Sequence, residues 1–232
     1  MDSAAIPGLT AIGGVFVGAG GVVWKGIYDT RSARARDIAI VRRRYLEPLR
    51  VASLDLRGHL EHILRAYEEN DSGETQFLER SFLHINKLDR SSGAVPFELW
   101  CNGEGYFATA TLYRAAVYCW AAMRIKRELL FLETEQVGDI PLLHRLENVR
   151  DSLGGRYGIW QSIQDSVGDY MKETDGSVIP YRIFCRRLSD PEGHVWLLRV
   201  VDFFSDIKEL SHRDTINAAI LALRSLEESL PA

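Results

Sequence analysis

The sequence predicts an all-α protein: a single N-terminal transmembrane helix followed by a cytoplasmic multi-helix bundle domain. Three observations carry this expectation. The stretch "IPGLTAIGGVFVGAGGVVWKG", Ile6 to Gly26, holds no charge before Lys25. Beyond it, apolar residues recur at helical spacing, and clusters of Gly, Pro, Ser and Asp cut the chain into helix-sized pieces. A chain of 232 residues, 46% of them hydrophobic, has material for one sizeable domain plus an appendage. The expected divisions are an anchor over 1–27, a basic juxtamembrane helix over 28–47 and a cytoplasmic helical domain over 48–232.

Ile6 to Trp24 is about 19 uncharged residues, which as a helix rise roughly 28 Å, close to the hydrocarbon thickness of a bilayer. Two competing readings of the glycines fail. From Gly18 and Gly20 the third glycine of a dinucleotide fingerprint falls on Val23, and Trp24-Lys25-Gly26 lacks the Gly before and the Ser or Thr after the lysine of a phosphate loop. A secretory signal would begin with basic residues, whereas only Asp2 precedes this run. The plainer alternative to a span is a glycine-rich apolar element packed on the soluble domain.

Lys25, Arg31, Arg34, Arg36, Arg42, Arg43 and Arg44 follow the run, against Asp29 and Asp37, and such a basic flank stays cytoplasmic. The expected topology is a single pass through the cytoplasmic membrane, N-terminus outside and domain inside. Trp24 and Tyr28 fall where aromatic side chains settle at the interface. The basic residues there attract anionic lipid at about 1 kcal/mol each near the surface. Gly14, Gly18 and Gly21 lie at i, i+4 and i+7, a small-residue stripe that lets two helices approach closely in lipid and points to a homo-oligomer through the span.

After the anchor, Ile38, Val41, Tyr45 and Leu49 share one helix face, and Pro48 is expected to kink or restart the helix. Leu49, Leu56, Leu60, Ile63 and Tyr67 extend the apolar face until "ENDSGET" ends it. Phe77 to Leu88 is a short amphipathic stretch, and "DRSSGAVPFELWCNGEG" reads as an irregular connection. Tyr106 to Met123 is the densest apolar run. Arg114 near its middle would cost about 2.5 to 3.5 kcal/mol in a bilayer, so this is expected to be the domain's central helix rather than a second span. Arg114 then either pairs with Asp55 in a buried ion pair or snorkels to the surface.

Further on, the helix is expected to reach about residue 135, with others over Pro141 to Leu153 and Gly158 to Lys172. Ile183, Phe184 and Leu188 leave strand and helix open. Asp190-Pro191 resembles a cap with proline at the first helical position. Trp196, Val200, Phe203, Ile207 and Leu210 form one face. Ser211 with Asp214 resembles a capping box, and Ile216, Ile220, Leu223 and Leu230 complete a terminal amphipathic helix.

Little in the sequence points to chemistry. A balance of 28 Lys and Arg against 32 Asp and Glu offers no general attraction for nucleic acid, and the arginines ring their helix rather than line a face. Three scattered cysteines, Cys101, Cys119 and Cys185, fit neither a disulfide framework nor a zinc site, and suit a reducing compartment. "HLEH" places His59 and His62 at i, i+3 around Glu61, the wrong spacing for a helical zinc protease. No nucleophile elbow appears, and the scattered carboxylates read as solvated faces. No catalytic residue, metal or cofactor is expected.

Tyr45, Pro48, Leu49, Asp55 and Leu56, together with Thr111, Leu112, Tyr113, Arg127, Glu128, Phe131 and Leu132, form the patterns Tyr-x-x-Pro-Leu…Asp-Leu and Thr-Leu-Tyr…Arg-Glu-x-x-Phe-Leu. On these the chain resembles a group of uncharacterised bacterial membrane-anchored all-helical proteins over its first two-thirds; the likeness fades beyond about residue 175. The resemblance implies a similar membrane-attached helical domain and brings no activity. Two functions follow as expectations. The first is a membrane-tethered interaction or scaffold module that binds a protein partner. The alternative is a membrane effector whose soluble domain senses a signal and clusters the glycine-rich helices to perturb the bilayer.

Overall fold

The computed structural model of the chain describes Arg36, Ile40 and residues 43–66, 97–103, 105–131, 139–154, 158–205 and 210–230. The chain divides into two compact units, Met1–Arg44 and Tyr45–Ala232. In the first, Arg36, Ile40, Arg43 and Arg44 are helical and exposed. The expected span over Ile6 to Trp24 lies outside the described residues. Among the described residues no helix is long and apolar enough to cross a membrane.

The protein is all-α: the described residues form eight helices and no strand. We number them α1 (43–66, with 45–66 in the second unit), α2 (Phe97–Asn102), α3 (Tyr106–Phe131), α4 (Asp139–Leu153), α5 (Gln161–Tyr170), α6 (Tyr181–Ser189), α7 (Pro191–Ser205) and α8 (Leu210–Glu227). Helix α3 is central, packing against α2, α4, α5, α6 and α7, while α4 also lies along α8. Its alanine-rich sequence favours the helix and its small side chains let neighbours approach from several directions. Ala108, Leu112, Ala115, Tyr118, Cys119, Ala122 and Ile125 are all buried. Each large apolar side chain so covered contributes about 1.5–3 kcal/mol relative to exposure.

Two local expectations change. Pro48 does not restart the helix: α1 continues across it. The proline forfeits one backbone donor, and the continuous buried stripe Leu46, Leu49, Ala52, Leu56, Leu60 and Ile63 outweighs that loss. The connection before α3 contains a helix, α2, because Trp100 and Cys101 bury there. Its packing is close: a Cβ on Gly105 would meet the Trp100 ring at 2.4 Å.

The undecided segment around Phe184 is α6, with Phe184, Cys185 and Leu188 on its buried side. Helix α7 starts at Pro191, where a missing N–H costs nothing, after Asp190 in an extended conformation. Helix α4 stops at Leu153 before Gly154, and Gln164 then donates to the carbonyls of Arg150 and Ile159, tying α5 to that end. Between α5 and α6 a tight turn closes on an isolated bridge between Lys172 and Val178. Its Gly176 has φ of +83°, a left-handed conformation suited to glycine.

Candidate functional site

Helix α1 carries a polar seam on the edge of its apolar stripe. Arg57 donates to both carboxylate oxygens of Glu227 at 2.9 Å and to Glu61 at 2.8 Å; Arg224 donates to Glu61 at 3.1 Å. This four-membered charge network joins α1 to α8. Burial works against ionisation of Glu61, yet the two guanidiniums hold its carboxyl below the ordinary range. Between Arg57 and Glu61 in the chain, His59 Nε2 lies 2.6 Å from Thr111 Oγ1 on α3, and its ring rests against Phe107 at a centroid distance of 4.7 Å. Burial, then the positive charges of Arg114 and His62, lower the His59 pKa to about 4. The histidine is neutral at physiological pH.

The two residues of the expected ion pair part company. Asp55 is exposed, while half-buried Arg114 donates to the Ala110 carbonyl of its own helix at 3.3 Å; no ion pair between them occurs among the described residues. His62 is exposed one turn beyond His59. Among the described residues no group of three or more His, Cys, Asp or Glu is placed to hold a metal ion. Of the interface residues, Arg36, Arg43 and Arg44 are described and exposed. Gly14, Gly18, Gly21, Trp24, Lys25, Tyr28, Arg31, Arg34 and Arg42 lie outside the described residues.

The cysteines are three free thiols, all buried. Cys119, inside α3, has its thiol pushed up to about 12 by burial and is poorly suited as a nucleophile. Cys101 and Cys185 differ, because the packing of α2 on α6 brings their thiols together. The Tyr181 hydroxyl stands beside them, 3.0 Å from the Cys101 carbonyl and 2.6 Å from Thr109 Oγ1. No sequence spacing announced this pair.

The surface offers a different feature. On α7, Leu197, Val200, Val201, Phe203 and Phe204 are buried, whereas Val195, Trp196 and Leu198 are exposed. Trp196 therefore stands outside the face on which the periodicity put it. Beside this patch Trp160 is 56% exposed, its ring lying under the Arg199 guanidinium at 5.1 Å, and Arg199 also donates to the Gly158 carbonyl at 3.1 Å. Two tryptophans, two aliphatics and a stacked arginine make an amphipathic patch.

No protein-family model, curated protein or solved structure matches the chain.

Proposed function

We propose that the chain is a membrane-tethered interaction module, held at the inner face of the cytoplasmic membrane and presenting its helical domain to a protein partner. The observation that carries the interaction is the outer side of α7, where Val195, Trp196 and Leu198 face solvent next to Trp160 and Arg199. Tryptophan and arginine dominate the energetics of protein interfaces, because each offers a large contact area with a polar handle. The tether rests on the uncharged run Ile6 to Trp24 and the basic flank from Lys25 to Arg44, which together favour one crossing with the domain inside.

Fractionation tests the tether. The full chain is expected in the membrane pellet after an alkaline wash, and a chain starting at Arg31 in the supernatant; release of the full chain by the wash would overturn the tether. Co-purification tests the interaction surface: a specific protein recovered with the wild type is expected to be lost from Trp160→Ser and Trp196→Ser, both with unchanged melting temperature.

The stripe Gly14, Gly18 and Gly21 favours a second reading, that of a membrane effector acting through clustered spans. Its signature is loss of membrane potential on overexpression only when the span is present. Replacing Gly14 and Gly18 with Ile is expected to abolish crosslinked dimers.

A further inference from the structure

Two thiols that lie 84 positions apart in sequence meet inside the domain, an arrangement that packing alone does not require. Cys101 sits in α2 and Cys185 in α6, both buried and without a disulfide. Tyr181, one turn before Cys185 on the same helix, reaches the Cys101 backbone carbonyl at 3.0 Å, so the α6 face bearing both residues is held against α2. The packing of α2 on α6 and the Tyr181 bond to the Cys101 carbonyl set the two thiols side by side, each acting on the other. The contact with Cys101 and, against burial, a further one with Tyr181 pull the Cys185 thiol below its ordinary range, while the Cys101 thiol is pushed up. Two buried thiols held side by side are the arrangement an attacking and a resolving cysteine need.

We propose that Cys101 and Cys185 are a redox-responsive pair that closes to a disulfide on reaction with a peroxide, stapling α2 to α6. The Cys185 thiolate attacks one oxygen of hydrogen peroxide: an S–O bond forms, the O–O bond breaks, and the departing hydroxide takes up a proton to leave as water. The Cys101 sulfur then attacks the sulfenic sulfur of Cys185. An S–S bond forms, the S–O bond breaks, and the leaving hydroxide carries off the Cys101 proton as a second water. Two thiols lose two electrons and one peroxide gains two. The burial of both sulfurs makes the reaction wait on local opening, which sets its rate rather than its product. The staple is independent of the membrane tether.

The test uses the full chain in detergent micelles, treated with hydrogen peroxide, then denatured, alkylated and mapped by mass spectrometry without reductant. The expected result is a peptide crosslinked between Cys101 and Cys185, Cys119 fully alkylated, and release of the crosslink by dithiothreitol. In Cys101→Ser the reaction is expected to stop at a Cys185 sulfenic acid that dimedone traps. Full alkylation of all three cysteines after peroxide, or a disulfide that uses Cys119, would overturn the proposal. Should the serine variant fail to fold, the wild-type map alone decides.

Discussion

His59 Nε2 stands 2.6 Å from Thr111 Oγ1, and the same hydroxyl lies 2.8 Å from the Phe107 carbonyl, which can only accept. The threonine proton therefore goes to Phe107, and Thr111 accepts from His59, which fixes the imidazole as the neutral Nε2–H tautomer. Protonation would place a second positive charge in a half-buried pocket that already faces Arg114 and His62. This small seam of α1 and α3 is consequently sensitive to acid.

Stability is expected to fall as pH drops from 6.5 towards about 4, the window between the ordinary histidine value and that of folded His59. Within it the unfolded chain binds a proton that the folded one refuses, so acid favours unfolding; above 6.5 the contribution is fully present. The difference is at most about 3 kcal/mol, and less with solvent screening at this partly exposed site. Urea titrations of the wild type and His59→Gln across this range check it. Carboxylates titrate in both proteins, so the difference between the two curves isolates the imidazole, and parallel curves would remove the assignment.

Helices α3 and α5 approach closely at Gly168. A Cβ there would stand 2.9 Å from the Cys119 carbonyl oxygen and 3.3 Å from Met123 Sδ. The first neighbour is backbone of the central helix and does not yield cheaply. Alanine would gain about 1 kcal/mol in helix propensity but lose about 1–3 kcal/mol to overpacking. Gly168→Ala is expected to be destabilised on balance, with a lower urea midpoint and an unchanged slope. An equal or higher midpoint would show that the two helices separate freely.

The Arg150 network makes an asymmetric prediction. Its side chain is 5% exposed and donates to both oxygens of Asp165 at 3.0 Å, whereas Asp165 is 47% exposed. Removing the carboxylate strands a buried cation that keeps only the longer contacts to Glu147 and the Gln161 carbonyl, both above 3 Å. Removing the cation leaves a carboxylate that already faces water. Asp165→Ala is expected to cost about 2 kcal/mol and Arg150→Met about 1 kcal/mol or less. Thermal denaturation of the two variants settles the order, and the reverse order would mean that the guanidinium is not held there by its ion pair.

How much of this was readable beforehand depends on the range of the interaction. The apolar periodicity of Leu49, Leu56, Leu60 and Ile63 marked the buried side of α1, and all four are buried. Asp190-Pro191 marked the start of α7, since a proline suits only a first turn. By contrast, His59 with Thr111 and Cys101 with Cys185 are joined by packing across 52 and 84 positions, a separation no local pattern encodes. His59 did sit at the margin of the stripe formed by Leu56, Leu60 and Ile63, a hint that its ring would be half covered. For Arg114 the sequence left two readings open, a pair with Asp55 or a side chain snorkelling to the surface, and the half-buried guanidinium donates to the Ala110 carbonyl one turn back on its own helix.

The outer side of α7 separates stability from binding, and neighbouring residues make the distinction sharp. Leu197 is fully buried and Trp196, one position earlier, is 41% exposed, because successive helix positions turn by about 100°. Leu197→Ala removes packed methyl groups and leaves a cavity, so a loss of about 2–5 kcal/mol is expected. Trp196→Ser removes mostly solvent-facing surface, and a change within about 0.5 kcal/mol is expected. Thermal denaturation of both variants measures the first quantity, and recovery of a co-purifying protein measures the second. A partner lost from Trp196→Ser while its melting temperature holds would assign the tryptophan to recognition. Destabilisation of Trp196→Ser on the scale of Leu197→Ala would instead make Trp196 part of the core, and the surface on α7 would lose its main anchor.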